Sequence, residues 1–261
     1  MDETKIYKQK HEFALYIESL SILLQEKSFD SSVIFTDEKL FHRVVNVLRL
    51  RVGQECIFFD QKMYITAQIK AFVGKKQIHI TVQATQQTVS LYPTVTFLLP
   101  VLKRDDLESA LYVLTEMGVN TIQLVFTHKS VNQWSFDRDR ERVQRIIIAA
   151  AEQSKNFAYP YVKEPIPLDL ALKQYKDVST KIFFDPQGEE MFTVMQSVYS
   201  AQPEHILLLV GPEGDLKIEE KEMIQINNFI FCALTPTVIR AAQAASLAAG
   251  LVRSLLVSKL Y

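Results

Sequence analysis

The sequence has little glycine and cysteine, with seven and two in 261 residues. So few glycines exclude collagen-like and low-complexity repeats. Hydrophobic residues make up 48% of the chain, enough apolar material for a sizeable core, so intrinsic disorder is excluded. Cys56 and Cys232 lie far apart without CxxC or Cys/His spacing, so we expect two buried free thiols in a reducing compartment. The length suits two domains.

Neither sign of charge is in excess, because 29 Lys and Arg stand against 30 Asp and Glu, a formal net charge of −1. A protein that bound nucleic acid through its overall charge would be strongly basic, so any RNA contact must come from a local patch. The longest stretch without Asp, Glu, Lys or Arg, 77–102, contains Thr, Gln and Pro, which a lipid interior would not accept. With no apolar signal segment at the N-terminus, we predict a cytoplasmic protein without a membrane segment.

The first third of the sequence predicts a short helical lead-in and then β structure. Helical spacing occurs at 11–24 and again from Leu40. Three later stretches alternate apolar and polar residues as strands do, namely CIFFD, MYITAQIKAF and QIHITVQA. The pair Gly74-Lys75 lies where a hairpin turn is expected. The polar, uncharged stretch 85–93 is typical of an interdomain linker.

From Thr94 onward, apolar strands alternate with helical stretches. The predicted strands are TVTFLLPVL, TIQLVFT, KIFFDP, HILLLV and FIFCAL. The predicted helices are RDDLESALYVLTEMGV, DRDRERVQRIIIAAAEQSKN, KIEEKEMIQINN and a closing helix, TVIRAAQAASLAAGLVRSLLVSKL. This alternation indicates an α/β domain with a mostly parallel sheet.

The most distinctive local feature is a buried strand that ends abruptly in Gly-Pro-Glu-Gly at 211–214. Small residues let a backbone approach a ligand closely, and the carboxyl ends of parallel strands are where α/β sheets bind ligands. The neighbouring acidic residues would repel a polyanion, so an uncharged or cationic ligand is favoured over a phosphate. The acidic residues are Glu213, Asp215, Glu219 and Glu220. The same residues also suit a plain strand-to-helix turn.

Arg240 is the only charged residue among the 23 residues from Phe229 to Leu251. The surrounding sequence is rich in alanine, which permits close helix packing. A lone guanidinium in such a stretch suits either of two roles, a clamp on backbone carbonyls or a contact to substrate. The spacing leaves both roles open.

Two clusters of basic residues stand out in a chain without net positive charge. On the helix after residue 135, Arg138, Arg142 and Arg145 share one face, with Lys129 upstream and Lys155 downstream. They suit either a phosphate-contacting stripe or a solvated surface on which Glu141 pairs with Arg145. The second cluster, in the first third, comprises His42, Arg43, Arg49 and Arg51. The five histidines show no metal-ligand spacing and no GxSxG elbow occurs, so we predict neither a metal site nor a hydrolytic triad.

Five segments in collinear order resemble the bacterial 16S ribosomal RNA uridine-N3 methyltransferases, the RsmE-type family of the SPOUT (trefoil-knotted) class. They span nearly the whole chain, and five matches in order are specific where one would not be. The segments are VLRLRVGQECIFFD (47–60), LPVLKRDDLESALYVLTEMGVNTIQLVFTHKSV (99–131), AAAEQS (149–154), LLLVGPEG (207–214) and ALTPTVIRAAQAA (233–245).

The resemblance implies an N-terminal PUA-like β-barrel that binds RNA, over 1–85, and a C-terminal SPOUT methyltransferase domain, over 90–261. The second would be an α/β domain with a mostly parallel sheet and a deep trefoil knot, one of the exceptions to the scarcity of knots. The implied activity is methyl transfer from S-adenosylmethionine to N3 of a uridine in 16S rRNA of the small ribosomal subunit. A homodimer without a metal is also implied.

The resemblance also implies roles for individual residues. Arg240 would lie close to the reaction, and Glu152 and Gln153 would shape the uridine pocket or the dimer interface. Cofactor contacts would come from Leu209, Val210, Gly211, Pro212, Glu213, Gly214, Leu234, Val238 and Ile239. The RNA contacts would come from Arg43, Arg49, Arg51, Arg138, Arg142, Arg145, Lys129 and Lys155.

The chain departs from the family pattern at positions that bear on activity. Val113 stands where the family has Lys, Asn156 where it has Arg, Asp215 where it has Gly, and Ala242 where it has Glu. The changes remove side chains that would contact RNA or order the catalytic loop. The alternative is therefore a catalytically weak or inactive SPOUT-fold protein that binds RNA or assists ribosome assembly. A third interpretation, a doubly wound nucleotide-binding enzyme, predicts an unknotted open sheet.

Overall fold

The apolar patterns of the sequence form two sheets, one on each side of the boundary between Thr88 and Val89. A computed structural model describes residues 12–25, 32–130, 134 and 136–256. Its chain divides into an N-terminal unit, Met1–Thr88, and a C-terminal unit, Val89–Tyr261. The boundary lies inside the stretch 85–93, although the strand before it continues to Gln87, so the predicted linker begins too early.

The N-terminal unit contains a five-stranded sheet with the order β1-β3-β4-β5-β2. Its strands are β1 (Ala14–Tyr16), β2 (Ser32–Thr36), β3 (Glu55–Phe59), β4 (Met63–Val73) and β5 (Gln77–Gln87). Strands β4 and β5 form an antiparallel hairpin, whose turn includes Gly74 at a φ of 61°. One face of the sheet is buried because apolar residues alternate along the strands, as at Met63, Ile65, Ala67 and Ile69.

Short helices accompany this sheet, α1 (Leu20–Gln25) and α2 (Glu38–His42), the latter continuing as a π-helical turn over Arg43–Val47. The Asp37 side chain caps α2 by accepting hydrogen bonds from two backbone N–H groups. The predicted helix over 11–24 is wrong in its first half. There Ala14–Tyr16 pair in parallel with β3, and three residues are too short for a strand pattern to appear in the sequence.

The C-terminal unit contains a six-stranded parallel sheet with the order β11-β9-β10-β6-β7-β8. Its strands are β6 (Thr94–Pro100), β7 (Thr121–Phe126), β8 (Tyr161–Pro167), β9 (Thr180–Glu190), β10 (His205–Val210) and β11 (Ile230–Ala233). Its helices are α3 (Arg104–Glu116), α4 (Phe136–Ser154), α5 (Leu168–Gln174), α6 (Met191–Ala201), α7 (Ile218–Ile226) and α8 (Ala241–Leu255). The predicted α/β fold with a mostly parallel sheet is confirmed.

The central strands β6 and β10 are continuous apolar runs because both faces of the sheet are covered. Phe97, Leu98 and Leu99 in β6 have no exposed surface, nor do the leucines of β10. Burying each such side chain contributes about 1.5–3 kcal/mol. Both cysteines are buried, as predicted. Among the described residues, no helix is long and apolar enough to cross a membrane.

The buried guanidinium of Arg253 joins the end of α8 to the amino ends of two strands. It donates to the carbonyl oxygens of Pro93 at 2.7 Å and of Gly118 at 2.6 Å, and to Asn120 Oδ1 at 2.5 Å. Burial lowers the pKa of this guanidinium to about 10, so it remains charged at neutral pH. The predicted closing helix begins later than expected, at Ala241 instead of Thr237, and residues 237–240 belong to a loop.

Candidate functional site

A cavity of about 540 Å³ lies at the carboxyl-terminal ends of β10 and β11, beside residues 184–186 of β9. All strands of the sheet run in one direction, so the segments that follow them meet at one edge. The size lies in the range of roughly 300–1,000 Å³ typical of small-molecule sites. The lining residues are Phe184, Asp185, Pro186, Val210, Gly211, Pro212, Glu213, Asp215, Leu234, Thr235, Thr237, Val238, Ile239, Arg240, Ala241 and Ala244.

One wall of this cavity comes from an irregularity in β9. Strand β11 pairs Phe231 with Phe183, and then the next residue, Cys232, with Glu189. The residues between leave this ladder, and they include the lining residues at 184–186. Gly188 lets the backbone of β9 pass close to β11, because a methyl group there would lie 2.4 Å from the backbone nitrogen of Cys232.

In the Gly-Pro-Glu-Gly loop after β10, Gly211 has room for a side-chain methyl group. A methyl group added there would meet nothing closer than Asp215 Oδ1, at 3.6 Å, which is an ordinary contact. The protein's own packing therefore does not require glycine at this position, whereas close approach of a ligand to the backbone would. The loop closes at Asp215, whose N–H donates to the Pro212 oxygen at 3.0 Å and whose φ is 60°.

Lys221 of α7 holds the loop to the irregular part of β9. Its Nζ lies 2.6 Å from Asp185 Oδ2 and 2.9 Å from Asp215 Oδ2. Partial burial by itself lowers the pKa of the ammonium, but the two carboxylates outweigh that effect and raise it. Asp185 is only 3% exposed, so this ion pair is largely protected from water on the carboxylate side. The Asp185–Lys221–Asp215 bridge thus fixes two walls of the cavity.

The electrostatics of the cavity suit a neutral or cationic ligand. Its lining includes the carboxylates of Asp185, Glu213 and Asp215, against one cation, Arg240, among the described lining residues. Arg240 precedes α8 with an extended backbone, and its side chain is exposed at the edge of the cavity. Most other lining side chains are apolar. A polyanion would be repelled here, as the sequence predicts.

The structure brings most of the predicted cofactor residues together. Val210, Gly211, Pro212, Glu213, Leu234, Val238 and Ile239 all line the cavity, as does Arg240, which was predicted to lie close to the reaction. Two predicted residues do not line it. Leu209 has no exposed surface because it belongs to the core of β10. Gly214 lies outside the lining, and its carbonyl oxygen accepts a hydrogen bond from Lys129 Nζ at 2.7 Å.

Residues that follow β6 and β7 support the loop and the start of α7 from the other side. The backbone N–H of Lys103 donates to Glu213 Oε1 at 3.0 Å, and that of His128 donates to Glu220 Oε1 at 2.8 Å. Lys129, predicted to contact RNA, braces the loop through the Gly214 carbonyl. Its ammonium therefore already has a partner in the free protein.

The predicted arginine stripe borders a second cavity, of about 400 Å³, between α3 and α4. Arg142 crosses to pair with Glu108 of α3, and Arg138 lies 3.2 Å from Asp139. The expected pair between Glu141 and Arg145 is absent in the described part of the chain. Arg145 is exposed at the edge of this cavity.

The remaining predicted residues lie outside both cavities. Glu152, Gln153 and Lys155 are at the end of α4, where Lys155 has a φ of 59°. Arg43, Arg49 and Arg51 are exposed on the N-terminal unit, near the π-helical turn. Asn156, where the family pattern has Arg, donates from Nδ2 to the Thr115 oxygen at 2.9 Å, a contact that ties α4 to the end of α3. Ala242 is nearly buried in the first turn of α8.

Several lining residues, among them Asp185, were missed from the sequence, as was Lys221, which pairs with Asp185 from outside the lining. The available signal was the Asp-Pro that ends the predicted strand KIFFDP, since the carboxyl ends of parallel strands collect at one edge. Thr235, Thr237, Ala241 and Ala244 were also missed. No group of three His, Cys, Asp or Glu in the described ranges is arranged to hold a metal ion.

A parallel α/β sheet with an acidic, partly apolar cavity at its carboxyl edge defines a class of proteins that bind a small organic ligand there. The sequence model of one such family, the RNA methyltransferase domain, matches residues 90–253. The chain belongs to this family, which confirms the resemblance noted from the sequence.

Relatives and solved structures agree with this membership. The chain is 25% identical over 232 residues to the ribosomal RNA small subunit methyltransferase E of Rickettsia conorii, covering 87% of this chain and 91% of the relative. It is also 25% identical over 213 residues to the Bacillus subtilis protein of that name, covering 78% and 82%. The Neisseria gonorrhoeae protein of that name, solved with S-adenosylmethionine, has a similar fold, with a TM-score of 0.77 and 22% identity over 94% of this chain and 98% of that one.

Proposed function

We propose that the protein transfers a methyl group from S-adenosylmethionine to N3 of a uridine in 16S ribosomal RNA of the small subunit. The observation that carries the proposal is the cavity at the carboxyl edge, formed by the loops after β10 and β11 in a chain of the RNA methyltransferase family. The names of the relatives from Rickettsia conorii and Bacillus subtilis support a small-subunit rRNA substrate. The choice of uridine N3 rests on the resemblance of five sequence segments.

The cavity fits S-adenosylmethionine in size and in charge. The cofactor carries a positive sulfonium and a positive ammonium with one carboxylate, and the lining has more carboxylates than cations. Gly211 lines the cavity without a side chain, which gives a planar adenine or a ribose access to its backbone. Apolar side chains, among them Val210, Leu234, Ile239 and Ala244, provide the rest of the surface. Leu209 acts by supporting this wall from the core.

The bound cofactor would supply an electrophilic methyl carbon. Uridine N3 carries a weakly acidic proton, which must leave before the nitrogen can attack. Arg240 stands at the cavity edge, where its guanidinium would stabilise the negative charge that develops on the uridine ring. The Asp185–Lys221–Asp215 bridge holds the loop that positions the reactants, since small displacements reduce rates sharply.

The rest of the molecule would bind the RNA and complete the active unit. We assign RNA contacts to the arginine stripe of α4 and to Arg43, Arg49 and Arg51 of the N-terminal unit, which would be a PUA-like barrel. We further propose that the C-terminal unit contains a trefoil knot and forms a homodimer, in which Glu152 and Gln153 face the uridine pocket or the partner. Action on rRNA suits a cytoplasmic location.

The decisive experiment has two measurements. Calorimetric titration with S-adenosylmethionine should show binding, and absence of binding at millimolar ligand would overturn the enzymatic proposal. Mass-spectrometric mapping of 16S rRNA from a strain lacking this protein should show one missing N3-methyluridine, restored by the intact gene and not by an Arg240→Ala variant. RNA binding without methyl transfer would instead favour the catalytically inactive alternative. That alternative is worth testing because Ala242 stands where the family has Glu.

A further inference from the structure

A cleft lies between α3 and α4, separate from the cavity at the carboxyl edge that is proposed to bind the cofactor, hereafter the cofactor cavity. The cleft combines cationic side chains with an apolar floor. Four arginines and two carboxylates line it, so its lining is net positive. The arginines are Arg104, Arg138, Arg142 and Arg145, and the carboxylates are Glu108 and Asp139. This balance is opposite to that of the cofactor cavity.

Two of these arginines have exposed side chains, each ion-paired to one carboxylate among the described residues. The side chains of Arg104 and Arg138 are both 73% exposed, and their distances to Glu108 and Asp139 are 3.5 and 3.2 Å. Such pairs contribute little to stability, so their guanidinium groups can exchange a carboxylate for a phosphate at small cost. Arg145 is exposed without an ion pair to any described residue. Arg142, less exposed and paired to Glu108, forms the inner end of the cleft.

The floor of the cleft is apolar and includes one aromatic side chain. Leu107, Leu111 and Val143 are buried side chains that face it, and Trp134 completes it. The indole N–H donates to Glu164 Oε2 at 2.8 Å, so the ring is held by its edge and its faces are not used by that bond. Guanidinium groups around an aromatic surface are what proteins use to bind unpaired nucleotides, by phosphate contact and base stacking.

The cleft and the cofactor cavity share a wall. Leu102 and Arg104 line the cleft, and Lys103 between them donates its N–H to Glu213 of the Gly-Pro-Glu-Gly loop at 3.0 Å. We infer that the cleft binds one unpaired nucleotide of single-stranded RNA, with its base against Trp134 and its phosphate on Arg138 and Arg145. This inference rests on the proposed function, because the nucleotide would be a near neighbour of the target uridine in the same strand.

Trp134 is the only tryptophan of the chain, so its fluorescence reports on the cleft directly. An octamer of uridylate, titrated into the full-length protein, should quench the emission as a base stacks on the ring. Arg145→Gln and Arg138→Gln should each weaken octamer binding by about fivefold or more at low salt. The control Lys173→Gln removes an exposed cation of α5, ion-paired to Asp169, and should leave binding unchanged. Trp134→Leu, followed by filter binding, should weaken it about tenfold.

Three outcomes would overturn the inference. Equal quenching by inorganic pyrophosphate would indicate a simple anion site. A change of emission with protein concentration, accompanied by dimer formation in light scattering and no response to the octamer, would place a second copy of the chain in the cleft. Absence of quenching, in a protein that still methylates rRNA, would show that the cleft does not bind RNA and would leave the proposed function standing. Failure to bind S-adenosylmethionine, with quenching by the octamer intact, would overturn the proposed function and leave the inference about the cleft standing.

Discussion

Two cavities at the same edge of one sheet have opposite charge. The cofactor cavity is lined by three carboxylates and one arginine, and the cleft between α3 and α4 by four arginines and two carboxylates. The backbone of Lys103 separates them, bonded to Glu213 on one side and followed by Arg104 on the other.

The difference explains how a chain with a net charge of −1 can act on a polyanion. Total charge describes the average surface, whereas a ligand responds to the charges within about one Debye length, roughly 8–10 Å at physiological salt. A cationic cofactor and an anionic RNA are thus favoured by neighbouring but different groups. Neutrality of the whole sequence does not exclude either ligand.

The largest effect is expected from Arg240, the single cation of the acidic cavity. Arg240→Ala should lower the rate of methyl transfer by about 100-fold to 1,000-fold, because it removes a charge that stabilises the transition state. Cofactor affinity, measured by calorimetry, should change less than about threefold, since loss of a cation next to a cationic ligand carries no penalty. Equal losses of rate and of affinity would show that Arg240 is a structural clamp.

The next effect concerns the Asp185–Lys221–Asp215 bridge. Lys221→Met leaves a buried carboxylate without its cation and should lower the free energy of unfolding by about 2 kcal/mol, a value reduced from that of a fully buried pair because Lys221 is partly exposed. In the double variant Lys221→Met with Asp185→Asn, much of the lost free energy of unfolding should be recovered, which urea denaturation would measure. Additive losses would mean that the pair is not coupled.

A matched pair of glycine variants separates ligand access from packing. Gly211→Ala should weaken S-adenosylmethionine binding about tenfold, because a methyl group is added to a residue that lines the cavity. Thermal stability should stay equal or rise slightly, since the methyl group would make only ordinary contacts with Asp215 and Leu216. Gly188→Ala, where β9 leaves its ladder with β11, should reduce thermal stability strongly, since its methyl group would lie 2.4 Å from a backbone nitrogen. Unchanged affinity in Gly211→Ala would place the cofactor elsewhere.

The smallest expected effect is a change in how steeply RNA affinity depends on salt. Octamer affinity should fall steeply between 50 and 200 mM salt, because arginines that bind phosphates displace the counterions of the RNA. Cofactor affinity should hardly change over the same range of salt. The double variant Arg138→Gln with Arg145→Gln should reduce the slope of log affinity against log salt by about one, because both arginines contact the same phosphate. A flat response of the intact protein to salt would contradict an arginine cleft that binds RNA.

Much of this site could be predicted from the sequence because of one rule, that the carboxyl ends of parallel strands share an edge. The strand ending in Gly211 and the segment before Arg240 were both recognisable as such ends. Asp185 and Lys221 were not, because the departure of β9 from its ladder depends on Gly188 and a partner strand more than 40 residues later. Non-local pairing of this kind leaves no periodic pattern.

In the N-terminal unit, the long hairpin β4-β5 could be predicted from strict alternation, and the three-residue strand β1 could not. The loop at 237–240 was predicted as helix because Ala-rich helical sequence follows it directly, without a capping side chain at Arg240 to mark the boundary. The arginines showed their common helical face in the sequence. Their pairing across to α3 became visible only in the structure.

The position of Arg253 bears on how the domain moves. Helix α8 is about 22 Å long at 1.5 Å per residue, close to the length of the seven-residue strand β6. Its far end is tied by the Arg253 guanidinium to the segments preceding β6 and β7, while its near end carries Arg240. Fluctuations should therefore be small at the amino edge of the sheet and concentrated at the carboxyl edge. Amide hydrogen exchange should be slowest beside Arg253 and fastest in the loops that must admit and release ligands.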